Sequence, residues 1–261
     1  MPLDSLILFL LITGLASYFQ TITGFGMGLI VIGAASIVHL ASVPTLAAVV
    51  SFLSLGNGAL ALRGRMHHID WPAMKAAALG IFPAMIGGVL LLEYLSDFAA
   101  GLLRLFLGVA IALSGAVFAI QPTPRVVRST NAGFAFSGAL GGLLSGLFGI
   151  AGPPLILHFY RQPLSLSTVR YTLMLVFVVS AVGRTIFVFM QGHLIAEVWM
   201  LSALALPAMA IGTLIGRHYP PQFSAKTVRR IVFLLLTGIG ASLVISVIKE
   251  FAPTSAFSIT G

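Results

Sequence analysis

Long apolar stretches dominate the chain and most restrict the folds open to it. Six stretches are each long enough to cross the hydrocarbon core of a bilayer, which needs about 20 helical residues. They are residues 43–62, 71–92, 99–120, 164–190, 195–215 and 228–248. Only 8% of the 261 residues are charged and 59% are hydrophobic, whereas a soluble domain has about 25% charged residues. We therefore predict an all-α, polytopic transmembrane helical bundle.

Two further apolar regions, residues 3–40 and 132–160, are interrupted by glycine-rich segments. The first is broken at residues 20–28 and the second at residues 148–154. Backbone N–H and C=O groups cannot stay unpaired in lipid, so a non-helical segment at that depth must be buried in protein or line a cavity. We expect each region to form a broken hairpin whose tip carries a functional segment.

The two breaks belong to a wider similarity between the halves of the chain. Phe25-Gly26 matches Phe148-Gly149 at an offset of 123 residues, Pro83-Ala84-Met85 matches Pro207-Ala208-Met209 at 124, and Gly115-Ala116 matches Gly240-Ala241 at 125. A nearly constant offset with the matches in one order indicates an internal duplication. We predict a first repeat at residues 1–120, a cytoplasmic linker at 121–130, a second repeat at 131–250 and a polar tail at 251–261.

Basic residues concentrate in four loops, at residues 63–75, 125–128, 161–170 and 217–230. Cytoplasmic loops carry an excess of Lys and Arg. All four loops can lie on one side only if residues 132–160 enter and return on that side. Because the two halves are repeats, we expect residues 3–40 also to enter and return on one side. Each half then holds one broken hairpin and three crossings. An odd number of crossings makes the two halves inverted repeats.

Inverted repeats with matching broken helices are typical of transporters that bind solute near the bilayer midplane. The helix after each break presents free N–H groups and the positive end of its dipole, which favours an anion. The candidate substrate-binding residues in the breaks are Thr23, Gly24, Phe25, Gly26, Gly28, Gly149, Ile150, Ala151 and Gly152. The alternative is that these glycines only allow close helix packing. Gly138, Gly142 and Gly146 fit that packing role.

Two polar residues within apolar stretches complete the candidate site. Arg184 is costly to insert, at about 2.5–3.5 kcal/mol, and as a ligand it would add positive charge. It could instead snorkel or pair with a backbone carbonyl. Asn57, which the repeat matches to Ser180, could bind substrate, although a bridge between helices is favoured.

Several functional classes find no support in the sequence. The chain has no cysteine, and its histidines do not show metal-ligand spacing, so we expect no metal and no cofactor. No catalytic motif points to an enzyme, and no basic stripe points to nucleic acid. The six acidic residues fall at or near helix ends. The first apolar region lacks the features of a cleaved signal peptide, so we expect a retained helix.

The chain resembles the sulfite exporter TauE/SafE family of bacterial membrane proteins. The resemblance rests on Thr23-Gly24-Phe25-Gly26-Met27-Gly28 and on Leu147-Phe148-Gly149-Ile150-Ala151-Gly152-Pro153-Pro154-Leu155, with support from Ile69-Asp70-Trp71 and the two Pro-Ala-Met segments. It covers both halves and implies a plasma-membrane permease for sulfur-containing anions. Family members often have more glycine in the first motif, where this chain has Phe25 and Met27, which points to a bulkier or less polar substrate.

We therefore expect a membrane permease, a secondary carrier or uniporter, for sulfite, an organosulfonate or a related organic acid. The alternatives are an anion channel and a non-transporting membrane subunit of a complex. The expected partners are a small anionic solute and the lipid bilayer, and a homo-oligomer stays open. The expected location is the bacterial inner membrane, with multiple crossings.

Overall fold

In the computed structural model, residues 3–119, 125–192, 195–219 and 225–251 are described. Over these residues the chain folds into ten α-helices, as the all-α prediction requires. They are α1 (Leu3–Thr23), α2 (Met27–Ile37), α3 (Val43–Leu62), α4 (Trp71–Phe98), α5 (Ala100–Ala119), α6 (Asn131–Phe148), α7 (Pro153–Tyr160), α8 (Leu166–Met190), α9 (Ala196–His218) and α10 (Ala225–Phe251). Six of the described helices are long and apolar enough to cross a membrane. Residues 121–124 of the predicted linker and 252–261 of the predicted tail lie outside the described residues.

Both predicted helix breaks are present. The first separates α1 from α2, and Gly24 and Gly26 within it have φ angles of 89° and 108°. The second separates α6 from α7 and begins at Gly149, with φ 69°. Side chains strongly disfavour positive φ, so glycine at these positions is what lets each helix stop without strain.

The second interrupted region folds back on itself, as predicted. A Cβ atom on Gly141 of α6 would lie 3.2 Å from the Cβ of Leu155 on α7. Near the start of α6, the Phe134 ring lies 5.2 Å from the ring of Phe159, measured between centroids. The end of α7 therefore lies beside the beginning of α6, and the chain enters and leaves this hairpin at one end of the molecule.

The four basic loops lie together at that same end, here called the basic end. Arg128 of the linker forms an ion pair with Asp70 at 2.8 Å, and the N–H of Arg125 donates to the carbonyl of Arg161 at 2.7 Å. A guanidinium nitrogen of Arg217 donates to the carbonyl of Arg63 at 2.8 Å. These contacts join all four loops and agree with a common cytoplasmic side.

The first interrupted region approaches this end from the opposite direction. The hydroxyl of Tyr160, at the end of α7, donates to the carbonyl of Thr23 at 2.7 Å. The α1 helix therefore ends near the basic end. The chain then turns back, because Oγ of Ser17 on α1 lies 3.2 Å from Sδ of Met27 at the start of α2.

Helices that the repeat makes equivalent pack in equivalent ways. The α6 helix packs on α4, and its counterpart α1 packs on α9, the counterpart of α4. Each pair of helices runs in parallel, and the pair α4–α6 points away from the basic end whereas α1–α9 points toward it. These opposite directions favour two inverted repeats. The inverted repeat itself stays a prediction from the sequence.

Glycines bring α4 and α6 into backbone contact, as predicted for Gly138, Gly142 and Gly146. These residues face Ala77, Ile81 and Met85 of α4, in that order. A Cβ on Gly142 would lie 2.7 Å from the Cα of Ile81, so a larger residue does not fit without moving a helix. In lipid, where apolar burial does not drive helix association, such close contact is a main source of stability.

Two adjacent glycines of α4 test this packing. Gly88 is buried, and an added Cβ would lie 2.9 Å from the Cα of Gly146, whereas Gly87 is exposed with open space around it. Gly88→Ala should destabilise the protein by about 1–3 kcal/mol through overpacking. Gly87→Ala should be neutral or stabilising, because alanine is the better helix former. Thermal unfolding in detergent measures both, and equal effects of the two variants would contradict the packing role.

Candidate functional site

The two breaks meet in the interior of the bundle, around a small cavity. A Cβ on Gly28 would lie 3.1 Å from Cγ1 of Ile150 and 3.7 Å from the carbonyl oxygen of Gly149. The residues that line the cavity are Gln20, Phe25, Gly26, Gly28, Leu29, Ser54, Ser145, Gly149, Ile150, Ala151, Ile156, Phe177 and Ser180. The volume open to the centre of a water molecule is about 20 Å³, which is room for about one water.

Most of the residues predicted from the breaks reach this cavity. Those that line it are Phe25, Gly26, Gly28, Gly149, Ile150 and Ala151. Thr23 is the last residue of α1, and Gly24 and Gly152 lie in the breaks beside the cavity. The hydroxyl of Thr23 is within hydrogen-bonding distance of the carbonyls of Phe19 and Phe25, and a Cβ on Gly152 would collide with the side chain of Leu144. These three residues fix the backbone conformation at the breaks but do not line the cavity.

Gln20 ties the first break to two neighbouring helices. Its amide oxygen accepts a hydrogen bond from the backbone N–H of Met27 at 3.0 Å. Its amide nitrogen donates to Oδ1 of Asn57 at 3.1 Å. The Gln20 side chain thus caps the first N–H of α2 and joins α1, α2 and α3 at the wall of the cavity.

Asn57 bridges helices and does not line the cavity. It is fully buried, and its amide nitrogen donates to the hydroxyls of Thr21 at 3.2 Å and Thr213 at 2.7 Å. With its oxygen held by Gln20, both amide donors and the acceptor are in use. The interhelical role favoured by the sequence fits this geometry, whereas a direct ligand role for Asn57 stays a prediction.

Three serines of the lining were not among the sequence candidates. Ser145 and Ser180 share a hydrogen bond of 2.6 Å between α6 and α8, and Ser54 lies on α3. Phe177 also lines the cavity and was not a candidate. The repeat could have indicated Ser54 and Phe177 together, because they are equivalent positions at the offset of 123 and both line the cavity. Serine alone is too common in membrane helices to mark a site.

Several backbone donors at the cavity have no partner within the described residues. No hydrogen bond is formed there by the N–H groups of Gly28 and Leu29, in the first turn of α2, or by those of Ile150 and Ala151 in the second break. Buried N–H groups are almost always paired in folded proteins. Four unpaired donors around one cavity therefore mark a place suited to a hydrogen-bond acceptor.

The two breaks are not equivalent as donors. The α2 helix begins with residues that keep their N–H groups, whereas Pro153 and Pro154 occupy the first turn of α7. Proline fits that turn but supplies no N–H. The second half therefore offers donors from the loop at Ile150 and Ala151 rather than from a helix terminus.

Arg184 lies behind the cavity rather than in its lining. It is 2% exposed, and its Nε donates to the carbonyl of Gly146 at 3.4 Å and its Nη1 to Oγ of Ser51 at 3.3 Å. Arg184 follows the lining residue Ser180 by one helical turn. Within the described residues no carboxylate pairs with it, so its positive charge stays uncompensated near the cavity.

Arg170 is a second cation that sequence reasoning treated only as part of a loop. A Cβ on Gly24 would lie 2.9 Å from the Cα of Arg170, and the Arg170 guanidinium lies 5.1 Å from the ring centre of Tyr171. Its Nε is buried without a hydrogen-bond partner in the described part of the chain. Arg170 thus places positive charge against the first break, toward the basic end.

Comparisons with known proteins identify the family of the chain. The family model described as Sulfite exporter TauE/SafE matches residues 9–243. A protein of Cupriavidus necator named "Probable sulfite/organosulfonate exporter TauE" is 51% identical over 238 residues, which cover 91% of this chain and 93% of the relative. No solved structure is significantly similar to the chain.

The contact between the breaks can be tested at Gly28. In Gly28→Ala the new methyl group would lie 3.0 Å from Cγ1 of Val50 and 3.1 Å from Cγ1 of Ile150. Overpacking of this kind costs about 1–3 kcal/mol, and we expect about tenfold slower solute transport. Gly87→Ala, in open space, is the matched control. Flux per folded protein in liposomes is the measurement, and an unchanged flux for Gly28→Ala would remove this contact from the site.

Proposed function

Because this chain belongs to the sulfite exporter TauE/SafE family, we propose that it is a membrane carrier that exports sulfite or an organosulfonate. The cavity between the two breaks is its substrate site. The observation that carries this proposal is the meeting of the breaks at Gly28 and Ile150, with unpaired backbone donors on both sides.

The chemistry of the cavity suits an oxyanion. The oxygens of sulfite or a sulfonate accept hydrogen bonds, and the site offers N–H groups from both breaks together with the hydroxyls of Ser54, Ser145 and Ser180. None of the lining residues is acidic, so no fixed negative charge opposes the anion. The positive end of the α2 dipole adds favourable potential.

The apolar part of the lining fits the carbon portion of a sulfonate. Phe25, Ile156 and Phe177 line the cavity together with the polar groups. An anion with a short organic substituent would place its oxygens on the donors and its carbon atoms against these side chains. The same lining accepts sulfite, which lacks the substituent, with fewer apolar contacts.

The cavity is too small in this conformation to hold either solute, which supports a carrier that changes shape. About 20 Å³ admits roughly one water molecule, whereas sulfite has four heavy atoms. Gly24, Gly26 and Gly149 have positive φ and can take up backbone rotation that other residues resist. Opening of the site toward one end at a time is alternating access.

The membrane potential is sufficient to drive export of an anion. Each negative charge that leaves a cell with a negative interior gains about 2.3 kcal/mol per 100 mV. None of the cavity-lining residues is a carboxylate that could carry a coupled proton. In the bacterial inner membrane, with the basic end in the cytoplasm, the first break would open toward that side.

Solute counter-flow tests the proposal. Liposomes that contain the protein are loaded with unlabelled sulfite or methanesulfonate, and entry of the labelled solute is followed, with choline as a cation control. A carrier should accelerate entry when the solute is present on the far side, and an anion channel should not. Selective transport of choline, or no flux of either sulfur anion, would overturn the proposal.

Substitutions of Arg184 separate charge from packing. We propose that its charge strengthens anion binding from behind Ser180, so Arg184→Lys should keep more activity than Arg184→Gln. The expected loss of affinity in Arg184→Gln is about tenfold, the scale of one interaction with a charged group. The concentration dependence of sulfite flux measures it. Equal affinity in the wild type and Arg184→Gln would show that Arg184 is only structural.

A further inference from the structure

A second, larger cavity lies at the basic end, between the linker and the α6–α7 hairpin. Its volume is about 760 Å³, and it shares no lining residue with the cavity between the breaks. The lining residues are Arg125, Val127, Arg128, Ser129, Thr130, Gly133, Phe136, Ser137, Leu140, Pro154, Leu157, His158 and Arg161. The proposed transport function makes no use of it.

Its polar side carries an excess of positive charge. Three arginines line the cavity and none of the lining residues is acidic. Arg128 is neutralised by its ion pair with Asp70. Within the described residues the guanidinium of Arg125 donates to the hydroxyl of Ser129, at 3.0 Å, and has no carboxylate partner. The side chain of Arg161 has no hydrogen-bond partner within the described part of the chain. Two cations are therefore left without a counter-charge.

His158 adds an unused polar atom to the same lining. Its Nε2 is buried and has no hydrogen-bond partner among the described residues. Arg125, Arg161 and His158 all line the same cavity. Like charges and an unpaired ring nitrogen converge on one place, which an anionic acceptor group would satisfy.

The other side of the cavity is apolar and exposed. Phe136 is 68% exposed and Leu140 is 40% exposed, on α6, whose glycine face packs on α4. In the bilayer this exposed face meets lipid tails. The cavity thus joins cations at the level of the membrane surface to apolar side chains that run toward the hydrocarbon core.

We propose that this cavity binds the headgroup of an anionic phospholipid, with its phosphate on Arg125, Arg161 and His158 and its acyl chains along Phe136 and Leu140. Basic cavities at the cytoplasmic side of membrane helices suit such headgroups. A free inorganic anion would satisfy the cations but would leave the apolar wall without a partner.

Bound lipid would also act on the substrate site through α7. Pro154 and Leu157 line the lipid cavity, whereas Ile156 of the same helix lines the cavity between the breaks. A headgroup that joins the linker to α7 would hold the hairpin in place. The lipid is therefore expected to stabilise the hairpin, whatever solute the protein carries.

Lipid titrations of the purified full chain test the proposal. Phosphatidylglycerol is titrated into protein in a neutral detergent, and the shift in unfolding temperature gives an apparent affinity. The wild type should be stabilised by phosphatidylglycerol and not by phosphatidylcholine. It should not be stabilised by glycerol 3-phosphate or inorganic phosphate. Equal stabilisation of the wild type by phosphatidylcholine, or by the soluble phosphates, would be enough to overturn the lipid site.

A matched pair of double variants locates the site. Arg125→Ala/Arg161→Ala removes two cations from the cavity and should weaken the apparent affinity by about 30-fold, since each basic residue near an anionic surface contributes several-fold. Arg63→Ala/Arg65→Ala removes two exposed cations from the same end, outside the cavity, and should change it little. Equal losses in the two variants would mean general surface charge and would contradict a defined site. The readout is lipid binding, so failure here leaves the transport proposal intact.

Discussion

The need to pair every backbone polar group inside a bilayer governs this structure. A continuous helix meets that need alone, but a break does not. Both breaks are therefore placed where protein surrounds them. The first lies against Tyr160 and Arg170, and the second lies against Ala47 and Gly28. The donors that remain unpaired lie around the cavity between the breaks, where these two non-helical segments meet inside the bundle. Fold and proposed function thus have one origin, because the segments that lipid cannot tolerate are gathered around the cavity that we propose as the substrate site.

Close helix packing makes that gathering possible. The breaks can touch only if α1 and α6, which carry them, are held deep in the bundle by α9 and α4. Gly14 lets α1 approach the carbonyl of Ala208, and the glycines of α6 do the same on α4. Such contacts hold the two halves together without a large apolar driving force. The glycines of the chain therefore have two roles. Those at the breaks adopt positive φ, and those along the helices allow close backbone approach.

Features set by local chemistry or by the distribution of charge could be predicted from the sequence. Glycine and proline mark both breaks, and the four basic loops required the second hairpin to enter and leave at one end. Details that depend on how each helix is rotated could not be predicted. Asn57 and Arg184 stand in apolar helices, and their spacing does not reveal that one binds Gln20 and two threonines while the other lies behind the cavity. The contribution of Ser145 and Ser180 was equally hidden, because a hydroxyl can bond to its own helix and carries little information until its neighbours are known.

Equivalent positions of the two halves differ in residue type, and this difference bears on how the proposed site would hold an anion. At the offset of 123, Asn57 corresponds to Ser180, Gln20 to Leu143 and Ala61 to Arg184. The first half therefore supplies an amide network that fixes the start of α2, where free N–H groups and the helix dipole lie. The second half has two prolines in place of such donors, and it supplies a hydroxyl pair and the charge of Arg184 instead. In the proposed site, helix-terminal donors of the first half and a buried cation of the second half would both act on the anion. A fully symmetric site would have placed a pair of prolines at both breaks, or two buried arginines around one small cavity, with too few donors in the first case and strong repulsion in the second.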